Sequence, residues 1–253
     1  MTASEQIDPA VELAQLSVLV DDVHVNFRVY RDNEASLREF VRRGMRRTVD
    51  VHALRGVSLS VGVGESVGIV GSNGSGKSTL LRAIAGVQPL SSGRVLVRGE
   101  AHLLGVGAAL KPLLSGRRNI LLGGLAMGMQ RAEIEARLPE VVEFAGLQES
   151  INLPLNTYSV GMRSRLAFAI ATLRVADVLL VDEALAVGDQ AFRERSLARL
   201  RSLRDEAGAV VLVTHNLVEI RQSCSRAIWL EQGEIRADGA VEDVLSEYST
   251  TPT

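Results

Sequence analysis

Short apolar runs separated by glycine-rich turns set the rhythm of this chain. Leu16 to Val25 is rich in Val and Leu and predicts a strand, and Val57 to Val63 alternates Val and Leu with small residues and predicts another. Ser66 to Val70 is a short apolar run, a Gly-rich stretch follows, and Thr79 to Ala85 has helical spacing: strand, loop, helix. Ser91-Ser92-Gly93 marks a turn ahead of a strand at Arg94 to Arg98. Residues from about 115 to 175 read as mostly helical. Val178 to Val181 and Val210 to Val213 are continuous apolar runs, which predict buried strands. Strand, helix, strand in that order predicts a parallel sheet with right-handed crossovers. Ala227 to Leu230, Gln232-Gly233 and Glu234 to Arg236 predict a hairpin, and Ala240 to Tyr248 a closing helix. Between the first two strands, Arg31 to Thr48 turns polar and strongly basic.

The strand–loop–helix segment carries the strongest chemical signal. Gly71-Ser72-Asn73-Gly74-Ser75-Gly76-Lys77-Ser78 fits the spacing G-x-x-x-x-G-K-[ST]. Its glycines let the backbone curl with N–H groups inward, and those amides, with the following helix N-terminus, cradle phosphate oxygens. Lys77 can reach β- and γ-phosphates, and Ser78 can offer its hydroxyl to Mg²⁺. A plain Gly-rich turn is the bland alternative; the strand before and the helix after supply the context that the phosphate reading needs.

Two further strands end in polar residues at the same sheet edge. Val178-Leu179-Leu180-Val181 aims Asp182 and Glu183 at the edge where open parallel sheets bind ligands. Asp182 would hold the Mg²⁺ shell, and Glu183 would polarise the water that attacks a γ-phosphate. Alone, this pattern would also suit a strand ending in a solvated acidic turn; the phosphate loop tips the balance. Val211-Leu212-Val213-Thr214 leads to His215. A lone histidine is more often structural, but one placed after the next strand fits a γ-phosphate sensor.

Composition narrows the setting. Hydrophobic residues make up 46% of 253 residues and aromatics only 4%, so the core must be aliphatic. A formal net charge of -2 argues against a globally basic nucleic-acid surface. Lysine occurs only at Lys77 and Lys111, against 28 basic residues in all, so Lys77 stands out as a position that needs an ammonium. Cys224 is the only cysteine, which rules out an internal disulfide and fits a reducing compartment. The start, MTASEQIDPAVELAQ, has no signal-peptide pattern. The longest mostly apolar stretch, Ile120 to Met129, is far short of the roughly 18 residues a membrane span requires.

Tyr158-Ser159-Val160-Gly161-Met162 lies 19 residues before Val181-Asp182, counted from Met162 to Val181, and opens an apolar helix at Leu166 to Leu173. In this order and place it resembles the signature of the ABC transporter ATP-binding subunits, L-S-G-G-Q. Tyr158, Val160 and Met162 depart from that consensus, while Ser159 and Gly161 are kept. The resemblance covers about residues 16 to 249. It implies an α/β P-loop NTPase fold with a mixed, mainly parallel core sheet, an antiparallel β subdomain and an inserted helical subdomain. Residues 1–253 would form one ATP-binding domain, with a basic amphipathic helical insertion at 31–50, a helical subdomain at about 112–175, and a C-terminal helix and tail at 238–253. The phosphate loop from Gly71 through Ser78, with Thr79, would bind ATP, and Ser78 and Asp182 would hold Mg²⁺. Lys77, Glu183 and His215 would be catalytic. Ser159 and Gly161 of a second copy would cap the nucleotide, with Asp189 of Ala186-Val187-Gly188-Asp189 at the dimer contact. Phe27 falls where the family stacks an aromatic on adenine, with Tyr30 as the other candidate. The Gln that the family usually carries near Gly105 to Lys111 is missing, and no residue is assigned to its role.

Within that family the chain looks most like the exporters of lipid-linked polysaccharides: O-antigens, teichoic acids and galactan. Tyr158 to Thr172 is similar to Y-S-x-G-M-x-x-R-L-A-F-A-x-A-T, Asp182 to Asp189 to D-E-x-L-A-V-G-D, and Leu104 to Ile120 to L-G-x-G-x-x-x-x-P-x-x-[ST]-G-R-x-N-I. In the insertion, Ser36-Leu37-Arg38-Glu39 can form a capping box. Leu37, Phe40, Val41, Gly44 and Met45 then share one helical face, and Arg38, Arg42, Arg43, Arg46 and Arg47 the rest. Similar transporters carry a helix near the channel entrance, where arginine forks suit a pyrophosphate-linked lipid. The resemblance therefore implies a homodimer on the cytoplasmic face of the membrane, driving a separate polytopic permease in two copies that carries a lipid-linked glycan. With the sequence ending at Thr253, the extra carbohydrate-binding domain of some members is not expected. Other readings stay open here: a soluble non-transport ABC ATPase, a nucleic-acid or interaction module using Arg31 to Arg47, and a small-molecule P-loop kinase. The first would bring paired nucleotide domains, coiled coils or basic surfaces. The second sits poorly with mild net acidity, so no nucleic-acid partner is expected. The third has no use for Ser159 and Gly161.

Overall fold

The structure is a computed structural model and describes residues 15–30, 48–104, 110–182 and 190–250. In chain order the strands are β1 (Leu16–Tyr30), β2 (Thr48–Gly62), β3 (Ser66–Val70), β4 (Ser92–Val97), β5 (Ala101–Leu104), β6 (Val178–Asp182), β7 (Ala209–Val213), β8 (Arg226–Glu231) and β9 (Glu234–Ala240). The helices are α1 (Lys77–Ile84), α2 (Gly116–Ala126), α3 (Arg131–Ala145), α4 (Val160–Ala171), α5 (Gln190–Glu206), α6 (Leu217–Ser223) and α7 (Val241–Thr250). Six strands form a sheet in the order β5-β6-β7-β3-β8-β9. All its pairs are parallel except β8 with β9. A second, antiparallel sheet has the order β2-β1-β4.

The apolar runs are continuous because both faces of the six-stranded sheet are covered. Side chains alternate across a strand. Val178 and Leu180 of β6, with Val211 and Val213 of β7, enter one core with α1 and the inner face of the antiparallel sheet. Leu179, Val181, Val210 and Leu212 point the other way, onto Leu203 of α5. Beside them, Val70, Ala227 and Trp229 pack against Ile220 of α6 and Val241, Val244 and Leu245 of α7. Helices α2, α3 and α4 build a separate core around Ile120, Ile134, Leu166 and Ile170. Phe144, Phe168 and Phe192 join that core to α5, with ring centroids 5.5–5.8 Å apart.

The expected mixed sheet, antiparallel sheet and inserted helices are all present. Several bounds differ from the sequence reading. Strands β1 and β2 run 15 residues each because they pair with one another along nearly their whole length, Leu16 with Gly62 through to Tyr30 with Thr48. Thr48 to Asp50 therefore belongs to β2 and not to a helical insertion; residues 31–47 lie outside the described set. Asp238 to Ala240 likewise belongs to β9 and not to the closing helix.

Candidate phosphate-binding site

The loop expected to hold phosphate is a turn between a buried strand and a helix. Leaving β3 at Gly71, the chain passes so close to β8 that a Cβ on Gly71 would collide with the Leu230 carbonyl. Gly76 caps α1 with φ 109°, and a Cβ there would lie 2.5 Å from the Ala53 carbonyl oxygen. Both positions need glycine. The hairpin turn between β8 and β9 braces the loop: the Gly233 amide donates to the Ser75 carbonyl at 2.9 Å, and the Gly233 carbonyl accepts from the Arg55 amide at 2.9 Å. No side chain caps α1, and no acidic residue lies in its first turn. Its leading amides and positive dipole end therefore suit an anion.

Lys77, the first residue of α1, is 7% exposed. Its ammonium donates to the Gly71 carbonyl at 2.8 Å and the Ser72 carbonyl at 2.7 Å. The positive charge is thereby folded into the mouth of the loop. Ser78 and Thr79 follow on the half-buried first turn. Asn73 and Gly74 are exposed at the loop tip.

Sheet register brings the other candidates to the same edge. Asp182 of β6 pairs with Val213 of β7, and Val213 pairs with Ile69 of β3. The strands are parallel, so Asp182, the Thr214–His215 turn and the loop all leave the sheet at its C-terminal edge. His215 is exposed there and held on both sides. The buried Thr214 hydroxyl accepts from the Asn216 amide at 3.1 Å, and Asn216 caps α6 by accepting from the amides of Val218 and Glu219. Glu183 and Asp189 lie outside the described residues.

Ser159 and Gly161 are not at this edge. They open α4 on the helical body, whose core is separate. Ser159 caps the helix by accepting from the Met162 amide at 3.2 Å. Both residues are exposed, as is the intervening Val160. Tyr158 is instead a buried anchor, its hydroxyl donating to the Ser150 carbonyl at 2.5 Å. Phe27 is 38% exposed and pairs with Val51, itself 46% exposed. That apolar surface lies two residues along β2 from Ala53, which backs the phosphate loop. The Tyr30 side chain lies outside the described set.

The sequence assigns no role to Glu231, which ties the phosphate loop, or to Asn119, which organises the start of the helical body. Glu231, at the end of β8, accepts from the Ser72 hydroxyl at 2.5 Å. No local signal marks it, because its partner lies across the β3–β8 register. Asn119, buried on α2, accepts from the Lys111 amide and donates to the carbonyls of Lys111, Leu114 and Ser115, which fixes the segment following residues 105–109.

Comparisons with known proteins agree with this geometry. The sequence profile of the ABC transporter family matches residues 54–186. The O-antigen export system ATP-binding protein RfbB of Myxococcus xanthus is 44% identical over 210 residues, covering 81% of this chain and 48% of that protein. The teichoic acids export ATP-binding protein TagH of Listeria monocytogenes serotype 4b is 36% identical over 233 residues, covering 92% of this chain and 70% of that one. The chain spans about half the length of several of the curated relatives it matches, such as 48% of one and 44% of another. Among solved structures, a post-hydrolysis dimer of the ATP-binding cassette MJ0796 bound to ADP and Pi superposes with a TM-score of 0.67 at 25% identity, covering 88% of this chain and 98% of that one.

Proposed function

The chain belongs to the ABC transporter family, and we propose that it is the ATP-hydrolysing subunit that powers export of a lipid-linked polysaccharide through a separate polytopic permease. The ATPase part rests on one observation above the rest: a phosphate loop, a strand-end carboxylate and a strand-end histidine converge on one sheet edge. The substrate class rests on likeness to relatives named for O-antigen and teichoic acid export.

In this reading the Gly71–Ser78 amides and Lys77 hold the triphosphate, with Thr79 completing the first turn. Ser78 and Asp182 offer hard oxygen ligands, a hydroxyl and a carboxylate, of the kind Mg²⁺ takes. The ion would neutralise charge on the β- and γ-phosphates. Glu183 takes the proton of the attacking water, and His215 steadies the γ-phosphate. Ser159 and Gly161 face solvent on the helical body, which suits a role on the nucleotide of a second copy, with Asp189 at the contact between copies. That arrangement makes a homodimer the working unit, one copy capping the other. Among the described residues no helix is long and apolar enough to cross a membrane. The transport path is therefore assigned to a permease, with this chain peripheral on the cytoplasmic face. The arginines within 31–47 are proposed to meet the anionic lipid carrier there.

Phe27 is proposed as the adenine platform. Phe27→Ala should weaken ATP binding by about 1–3 kcal/mol, the worth of one base–aromatic stack. Calorimetry would read this as a rise in Kd, with the response to tripolyphosphate unchanged. If Tyr30→Ala shows the loss instead, Tyr30 is the platform.

The export reading is tested in cells depleted of this chain. Lipid-linked glycan should accumulate on the cytoplasmic side, and the tagged chain should co-purify in detergent with a polytopic membrane protein. A chain that purifies only free of membrane, from cells whose glycan distribution is normal, would overturn export in favour of a soluble ABC ATPase.

A further inference from the structure

Ser72, the second residue of the phosphate loop, is held from two sides. Its carbonyl accepts from Lys77 Nζ at 2.7 Å, and its hydroxyl donates to Glu231 Oε1 at 2.5 Å. Register explains the second tie. Val70 of β3 pairs with Trp229 of β8 in parallel, so two residues further on Ser72 meets Glu231. Alternation places Trp229 and Glu231 on one face of β8, and the indole Nε1 donates to the other carboxylate oxygen at 3.4 Å. The indole in turn packs edge-on against Tyr248 of α7, with ring centroids 5.7 Å apart. Both rings belong to the apolar cluster that seats α7 through Val241, Val244 and Leu245.

A carboxylate beside an anion-binding loop repels the ligand, so Glu231 is better understood through what it does to the loop. Its own charge is favoured locally. The Ser72 hydroxyl, before all else, holds its carboxyl below the usual range, with help from Trp229, the Ser72 amide and the Lys77 charge and against the cost of desolvation.

We propose that Glu231 is a positioning residue of the phosphate loop, and that Ser72, Glu231, Trp229 and Tyr248 form the path by which nucleotide binding is passed to helix α7. The inference rests on the reading that this loop takes a nucleotide. As Lys77 turns from the Gly71 and Ser72 carbonyls to a phosphate, one tie on Ser72 is released. The Glu231 tie then holds the curl of the loop, and the change in load on Glu231 reaches the indole it shares. Helix α7, packed on that indole, senses whether the loop is filled.

Trp229 is the only tryptophan in the chain, so its emission reads this path directly. The full chain is titrated with Mg·ATP, and separately with Mg·ADP. Trp229 emission is followed, and binding is measured independently by calorimetry. The emission of the unaltered chain should change along the calorimetric binding curve. Glu231→Ala should raise Kd roughly tenfold, the worth of one hydrogen bond to a charged group, and should lose the emission change at saturation. Glu231→Gln, whose amide oxygen still accepts from Ser72 but whose NH₂ group cannot accept from the indole, should restore most of the affinity and not the emission change. A side chain that only filled space would not make the alanine and glutamine variants differ in this way. Emission that stays constant at saturating nucleotide in the unaltered chain overturns the proposal. So does a folded Glu231→Ala variant with unaltered affinity. Should Glu231→Ala fail to fold, the emission of the unaltered chain decides alone. If calorimetry shows no nucleotide binding to the unaltered chain, the nucleotide reading falls, and this inference with it.

Discussion

Lys77→Ala is expected to lower ATP hydrolysis by about 10²–10³-fold, the usual cost of removing one preorganised donor from a developing negative charge. Lys77 starts α1 with its ammonium inside the loop, 2.7–2.8 Å from the Gly71 and Ser72 carbonyls. The substitution removes that charge where solvent screens it least, since the residue is 7% exposed. It also takes the shared donor from two loop carbonyls, so the curl loosens before any nucleotide arrives. Affinity should therefore fall together with turnover. Lys77→Arg is expected to fail nearly as badly. A planar guanidinium on a longer stem does not replace a compact ammonium in a closed loop, and 26 of the 28 basic residues in this chain are already arginine. Calorimetric ATP binding and phosphate release on the purified chain test both variants. Hydrolysis by Lys77→Ala at the unaltered rate would remove the loop from the mechanism.

The parts of the site carried by β3, β6 and β7 were legible in the sequence for a physical reason. Strands covered on both faces leave no room for polar residues until they end, so apolar runs stop abruptly at Gly71, Asp182 and Thr214. The chemistry sits where burial stops. Elements with weaker local signals were not legible. Strand β5 is four residues long and includes His102, whose imidazole is held below its ordinary pKa chiefly by burial. Helix α5 carries five arginines, and only a narrow apolar stripe with Phe192 and Leu203 reaches the core. The lengths of β1 and β2 could not be read from either strand alone. His24, Asn26 and Arg28 interrupt the apolar pattern, and only the ladder between the two strands extends them. Glu231 was invisible for a similar reason: its partner Ser72 is 159 residues away, and nothing but the β3–β8 register joins them. The tie between Asn119 and Lys111 is equally silent, because an asparagine inside a helical pattern gives no sign of which carbonyls it will hold.

Glu183→Gln separates the two halves of the proposed function. Asp182 closes β6 at the loop's edge of the sheet, in register with Val213, and Glu183 is the next residue in the chain. A glutamine there keeps an oxygen that can accept a hydrogen bond from water, but it cannot take the proton. Hydrolysis should fall by about 10²–10⁴-fold, the range for losing a general base, while ATP affinity is retained. The split from Lys77→Ala is then sharp, since one variant loses binding and turnover and the other loses turnover alone. With ATP bound and not consumed, the capped dimer should accumulate and be seen as a nucleotide-dependent shift in size. In cells the same variant should stall the transporter, so that lipid-linked glycan builds up on the cytoplasmic side of the membrane and identifies itself by what accumulates. If hydrolysis is lost while the glycan distribution stays normal, the ATPase assignment stands and the polysaccharide substrate is wrong. If hydrolysis survives, the proton acceptor is another group at this edge, and His215, exposed on the neighbouring strand end, is the first to substitute.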